Sequence, residues 1–296
     1  MQYGLYFPNF GKFGDPGVVV EIAATAERAG WDGVFPWDHI QVGHWAGPVI
    51  DPWVAMAAAA AATERIRIGP MVTPVPRRRP AKLAREAVTL DHLSGGRLVL
   101  GVGIGWPPDV DFGNFGDAAD NRIRGEQLDE GLELLDALWS GEVVNHQGTH
   151  YTALDARFLP RPVQQPRIPI WVGGMWPRKP AFRRAARWDG VYPMAIGDTP
   201  DDFVPMTPEM LTDILAYVTA YRETDGPFDV AVNGSSFPGT ESGPPDDFAA
   251  AGATWWIENV GWPPDVPLDA WLEFVAAGPP SRTIRSTGTS DQDQEA

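Results

Sequence analysis

The chain has 296 residues and a formal net charge of −16, from 23 Lys and Arg against 39 Asp and Glu, a balance that argues against nucleic-acid and anionic-membrane partners. Hydrophobic residues make up 44% of the chain, enough to bury a core. With no cysteine it carries no disulfide, thiolate nucleophile, iron–sulfur cluster or Cys-ligated zinc, which is compatible with a reducing compartment, and a cytoplasmic location is expected. The first eight residues lack the basic start and apolar run of a secretory leader. No uninterrupted apolar stretch reaches ~18 residues, so no membrane span is expected.

Short apolar runs alternate with amphipathic helical segments along the chain. A run at 3–7 precedes a helix at 18–29 that stops at Gly30. A run at 33–35 precedes an Ala-rich helix reaching residue 62, opened by Asp51-Pro52 as cap and first-turn proline. The run at 66–72 precedes a helix at 80–93. The run at 97–102 precedes a helix in which Ile123, Leu128, Leu132, Leu135 and Leu138 share one face. The later pairs are 168–172 with 178–187, 190–194 with a helix opened by Thr207-Pro208-Glu209, 228–233 with 246–251, and 254–258 with 268–276.

Eight run–helix pairs are the count of a closed (β/α)8 or TIM barrel. A doubly wound open sheet is disfavoured because no dinucleotide fingerprint follows the first run. Residues 141–167, between the fourth helix and the fifth strand, exceed a plain connection and hold a hairpin pattern turning at Gln147-Gly148, so they read as an insertion. The barrel is expected to form one domain over 1–277. Residues 278–296, rich in Pro, Ser, Thr, Asp and Gln, are expected to form a disordered tail.

In such a barrel the loops after the strands form the active face. Here they include Pro36-Trp37-Asp38-His39, Thr73-Pro74, Gly103-Ile104-Gly105-Trp106, Gly173-Gly174-Met175-Trp176 and Asn233-Gly234-Ser235. The mouth is aromatic with few charges, which suits a flat conjugated ligand. Phe7, Trp37, Trp106 and Trp176 are the expected substrate-pocket residues. His39, with Asp38 beside it, is the expected catalytic group, because imidazole is the side chain most readily moved across neutral pH.

Gly103 and Gly105 do not form G-x-G-x-x-G, and no helix is expected directly behind them. They read as positions where a ligand approaches the backbone. Gly173, Gly174 and Met175 join a strand to a helix start that carries Arg178 and Lys179, a combination able to hold a phosphate. For Arg77-Arg78-Arg79 three readings stay open: contact with an anionic cofactor tail, pairing with acids at a subunit contact, and solvation. His44, His92, His146 and His150 form no metal set, and no metal is expected. Paired glycosidase carboxylates, a G-x-S-x-G elbow and a strand-end Schiff-base lysine are all missing.

The run Glu64-Arg65-Ile66-Arg67-Ile68-Gly69, through Thr73-Pro74 and Arg79-Pro80-Ala81-Lys82 to Leu93-Ser94-Gly95-Gly96-Arg97 and Leu100-Gly101-Val102-Gly103, resembles the bacterial luciferase-like monooxygenase family in its deazaflavin-dependent branch. Trp31-Asp32-Gly33, Arg124-Gly125-Glu126-Gln127, Pro160-Arg161-Pro162-Val163-Gln164, Ile170-Trp171-Val172-Gly173-Gly174 and Arg187-Trp188-Asp189-Gly190 extend the likeness over about residues 1 to 276.

The resemblance implies an oxidoreductase acting on a small organic substrate by hydride transfer or monooxygenation. Coenzyme F420 is favoured as cofactor and FMN is the alternative; a non-catalytic flavin-binding relative is the rival reading. It implies a cis peptide and bulge within Pro70-Met71-Val72 beneath the cofactor ring, with Thr73 beside it, phosphate contacts at Gly173 and Gly174, and Asp38 and His39 near the reactive ring. It also implies a homodimer, for which the Ala-rich helix face at 53–62 gives a physical reason. Members commonly carry an acid in or just after the Gly-x-Gly-x-Gly loop. Here Trp106-Pro107-Pro108 intervenes before Asp109 and Asp111, which places any acid role of that loop in question.

Overall fold

The computed structural model describes residues 1–199 and 201–280; the expected tail lies outside the described residues from 281 onward. In chain order the first half comprises β1 (Gln2–Phe7), α1 (Pro16–Ala29), β2 (Gly33–Pro36), α2 (Pro52–Ala61), β3 (Arg67–Ile68), β4 (Thr73–Pro74), α3 (Pro80–Ser94), β5 (Leu100–Gly103), α4 (Pro108–Asp111) and α5 (Asn121–Trp139). The second half comprises β6 (Val143–Gln147), β7 (Thr152–Arg157), β8 (Ile170–Trp176), α6 (Lys179–Ala185), β9 (Gly190–Ile196), β10 (Phe203–Val204), α7 (Pro208–Tyr221), β11 (Asp229–Gly234), α8 (Pro245–Ala250), β12 (Trp255–Asn259) and α9 (Leu268–Ala277).

Side-chain caps start several helices by satisfying amides that have no intrahelical partner. Asp15 accepts from the Gly17 amide at 2.7 Å, Asp51 from Val54 at 2.9 Å, Asp120 from Arg122 at 2.8 Å and Thr207 from Met210 at 3.2 Å. Helix α1 ends at Gly30, whose φ of 89° is costly for any residue with a Cβ.

Parallel pairing runs β3–β2–β1–β12–β11–β9–β8–β5–β4. β3 and β4 are two halves of one strand position, interrupted at residues 69–72, where the Met71–Val72 peptide is cis. The ring closes at Ile68, which donates its amide to the Arg97 carbonyl (3.2 Å) and accepts from the Val99 amide (2.9 Å). Among the described residues this makes the eight strand positions of a (β/α)8 barrel. The hairpin β6–β7 is inserted between α5 and β8, as the sequence indicated, and turns just after Gln147. Two elements were not legible beforehand: β10, which folds back antiparallel on β9, and α4, a single turn just behind the glycine loop.

Strand side chains alternate between two cores. Leu5, Phe7, Val34, Leu100, Val102 and Val172 point outward to the helices, while Phe35, Met71, Val99, Trp171, Tyr192, Trp255 and Ile257 fill the barrel. These large rings fit because neighbouring inward positions are glycine: a Cβ at Gly33 would lie 2.6 Å from the Phe35 ring, and one at Gly190 would lie 2.5 Å from Trp171. The barrel is therefore a packed core, and any ligand must lie at its C-terminal mouth.

At the opposite end Arg97 holds the layers together. Its guanidinium donates to the carbonyls of Ser94 (2.6 Å), Ala60 (2.8 Å), Ile66 (2.8 Å) and Thr63 (2.9 Å), and to the Thr63 hydroxyl (2.9 Å). Arg97→Met would leave these buried acceptors without donors, each worth ~1–3 kcal/mol when wholly uncompensated. The expected loss is roughly 3 kcal/mol, read as a lower urea midpoint with an unchanged slope.

Candidate active site

Tyr6, Trp37, Val72, Met194, Asn233 and Asn259 are half-buried at the C-terminal ends of the strands and form the floor of the mouth. The Tyr6 ring lies 5.1 Å from Trp37 and 5.6 Å from Tyr192, and Phe10 packs edge-on against Trp37 at 5.6 Å. Burial raises the phenol pKa of both Tyr6 and Tyr192, so both stay neutral.

The glycines of the mouth make room for Val72. A Cβ at Gly103 would come within 2.8 Å of its Cγ2, and one at Gly173 within 2.9 Å of its Cγ1. The close approach expected of a ligand at Gly103 is thus already made by the interrupted third strand. Gly105, with φ of 81°, is crowded by Phe112 and Pro74. Gly174 faces away from the mouth, where a Cβ would meet Ala181 of α6 at 2.7 Å. Of residues 70–73, Val72 alone reaches the mouth: Pro70 is buried, and Met71 is packed in the barrel.

Asp38 is buried at the end of β2 and ringed by donors. Its Oδ1 accepts from Arg77 (2.8 Å), and its Oδ2 accepts from Arg78 (2.8 Å), the Thr73 hydroxyl (2.7 Å) and the Trp53 indole (3.1 Å). A carboxylate so surrounded has both oxygens occupied and none left for a substrate proton. Thr73, expected at the cofactor, is likewise fully buried and engaged with Asp38. Arg77 and Arg78 are not an open basic path for an anionic tail, since their side chains are only 5% and 17% exposed and both pair with Asp38.

The second arm of Arg77 reaches Asp111, the last residue of α4. Asp111 Oδ2 lies 3.2 Å from His39 Nδ1, and its Oδ1 accepts the amides of Ile40 (3.0 Å) and Gln41 (3.1 Å). Burial pushes this carboxyl up, but His39, the Arg77 charge and the Gln41 amide together hold it below the usual carboxylate range. An ionised Asp111 can only accept, so His39 carries its proton on Nδ1 and has Nε2 free for another partner. The His39 side chain is 16% exposed, within reach of the mouth, and its ring lies 5.8 Å from Trp37.

Of the other expected residues, some fall at the mouth and some do not. Phe7 is one register position off: it points outward and packs on Phe13 at 6.0 Å, so it does not line a pocket, and Tyr6 takes that place. Trp37 is at the mouth. Trp106 links the loop after β5 to the loop after β9, its indole donating to Asp201 at 3.1 Å while Phe203 meets it edge-on. Trp176 packs on Phe182 of α6, with the Lys179 ammonium 3.4 Å from its ring centroid, so Lys179 is already engaged. Met175 is half-buried on β8, and Arg178 is exposed with its side chain open. His146 and His150 meet Glu130 (3.1 Å) and Glu126 (3.4 Å) of α5.

Sequence reasoning missed Asp111 as the partner of His39. It also missed Glu258, which is buried with a raised pKa and ties the Ser236 hydroxyl (2.5 Å) to β12. For Asp111, whose folded pKa is lowered, the stabilisation is present above its unfolded value of ~4 and is lost as pH falls through the folded value. The melting-temperature gap between wild type and Asp111→Asn should therefore be widest near neutral pH and close below pH ~4.

The family model for luciferase-like monooxygenases matches residues 5–232. A protein named F420-dependent glucose-6-phosphate dehydrogenase from Microbacterium testaceum is 34% identical over 230 residues, covering 75% of this chain and 65% of that protein, so the match spans less than two thirds of the relative's length. Monooxygenase RslO1 from Streptomyces bottropensis superposes with a TM-score of 0.67 at 24% identity, covering 93% of this chain and 96% of that one. The F420-dependent tetrahydromethanopterin reductase from Methanopyrus kandleri gives 0.67 at 17% identity, covering 94% and 98%. These two structures share the fold. With its barrel, its interrupted third strand and a family match over most of its length, the chain belongs to the luciferase-like monooxygenase family.

Proposed function

We propose that the chain is a coenzyme F420-dependent oxidoreductase acting on a small organic substrate, with His39 exchanging the proton that accompanies hydride transfer. The observation that carries this reading is the Asp111–His39 pair at the barrel mouth, which leaves Nε2 free at the surface a ligand would occupy. The residues present fit a deazaflavin. Val72 and Trp37 offer apolar surface for a flat ring, and Arg178, open at the 173–179 turn, offers a cation for a phosphate. When bound, the coenzyme supplies a carbon centre that accepts or donates a hydride. The preference for F420 over FMN rests on the name of the Microbacterium relative.

On the protein's side the work is orientation and proton transfer. In the oxidative direction a substrate C–H leaves with its electron pair, the adjacent O–H gives its proton to His39 Nε2, and a carbonyl remains. Asp111 fixes the tautomer and balances the imidazolium that forms. Asp38 is a positioning residue: it holds Arg77, which in turn holds Asp111. In the same proposal, residues 1–277 form one domain of a cytoplasmic homodimer. α2 contributes an exposed face that includes Val54, Ala58 and Ala61, and light scattering is expected to return about twice 32.3 kDa.

Equilibrium titration of the purified chain with F420 and with FMN tests the cofactor, and tighter F420 binding is expected. Tighter FMN binding would move the reading to flavin chemistry, and binding of neither would remove it. His39→Ala should lower kcat by ~10²-fold or more while leaving the melting temperature near wild type. Asp111→Asn should shift the acidic limb of the kcat/KM profile, which a purely structural residue would not do.

A further inference from the structure

We infer that the substrate is an uncharged hydroxyl or carbonyl compound and that phosphorylated and carboxylated molecules are excluded; this rests on the proposed oxidoreductase function and narrows it. An anionic substrate needs a cation at the mouth that is not already engaged. Lys12 donates to the carbonyls of Pro264 (2.8 Å) and Val266. Arg77 and Arg78 close on Asp38, Asp111 and Glu86. Arg124 donates to the carbonyls of Ile104 and Gly105, both at 2.9 Å, and Lys179 lies over Trp176. Arg178 stays open, and the cofactor phosphate takes it. Arg79, also exposed, lies near Tyr151 of the hairpin insertion, so among the described residues none of these other cations is left at the mouth for a second phosphate.

The opposite rim adds repulsion. The loops after β9 and β11 (residues 197–207 and 235–244) contain Asp198, Asp201, Asp202 and Glu241 and no Lys, Arg or His. The bond from Trp106 to Asp201 ties the first of these loops to the β5 side of the mouth. An independent observation indicates what the site would take. The Trp37 Nε1 donor and the Asn259 Oδ1 acceptor are buried without a hydrogen-bond partner, on the inward-facing side of the mouth. A hydroxyl can satisfy both, accepting from the indole and donating to the amide oxygen, whereas an ionised carboxylate or phosphate, which only accepts, leaves the Asn259 oxygen unpaired. The chain thus departs from the phosphorylated sugar in its Microbacterium relative's name.

The test uses the full chain loaded with F420, so that Arg178 is taken, and glucose 6-phosphate as probe. Calorimetry should find no binding to wild type below ~10 mM, equivalent to less than ~3 kcal/mol of affinity. Asp198→Lys combined with Asp202→Lys should bring the dissociation constant into the low-millimolar range. Submillimolar binding to wild type, or no gain in the double variant, would overturn the inference. Turnover is then compared on neutral and phosphorylated pairs, glucose with glucose 6-phosphate and glycerol with glycerol 3-phosphate. In any pair that reacts, the neutral member should be favoured by ~100-fold or more in kcat/KM. An equal or better phosphate ester would overturn the inference. If no substrate on any panel turned over, the oxidoreductase reading would fail, and the binding arm would still decide the charge claim.

Discussion

The buried charge of Asp38 is the constraint on which the site depends. An ionised carboxylate removed from water is stable only when its oxygens are fully paired. Four donors from three separate segments meet that need: Trp53 on α2, Thr73 on β4, and Arg77 and Arg78 in the turn before α3. Satisfying one carboxylate therefore fixes how β2, β4 and α2 meet at the mouth. The same arginine continues the chain of contacts to Asp111, and Asp111 to His39. Two aspartates and two arginines together compensate each other's charge, so the imidazole is held in a neutral, rigid frame inside a strongly acidic protein.

The shape of the mouth has a separate origin. The third strand position breaks between Ile68 and Thr73, and the intervening residues fold into the barrel. Gly101, Gly103 and Gly173 accept this intrusion because a Cβ at each would collide with Pro70, Met71 or Val72. Glycine-rich strand ends that look ready for a phosphate thus first serve the protein's own backbone. What remains for a ligand is an apolar floor around Val72, framed by Tyr6 and Trp37, with neutral amides on the far side.

Much of this was legible in the sequence because it depends on local patterns. Capping residues, prolines and 3.6-residue periodicity located the helices, and eight apolar runs gave the barrel. The pairing of Asp38 with His39 at a strand end pointed to the mouth. Phe7 was misplaced because a short run of aromatic residues does not reveal which parity faces inward, and a shift of one residue moves a side chain to the other face. Asp111 was obscured because its role depends on a one-turn helix behind Pro107-Pro108 that folds back toward β2, a contact spanning 72 positions in the chain. The arginine run was ambiguous for the same reason: only the fold shows that two of its members turn inward while Arg79 stays exposed.

The account turns on the protonation of one ring. Nitrogen-15 NMR of the imidazole groups, with His39 assigned by comparison with His39→Gln, reads the tautomer directly near neutral pH. The account predicts that the tautomer present in the wild-type protein carries its proton on Nδ1, with reversal or mixing of the tautomers in Asp111→Asn. A wild-type ring with its proton on Nε2 and none on Nδ1 would contradict it, because Asp111 would then not be orienting His39 toward the mouth.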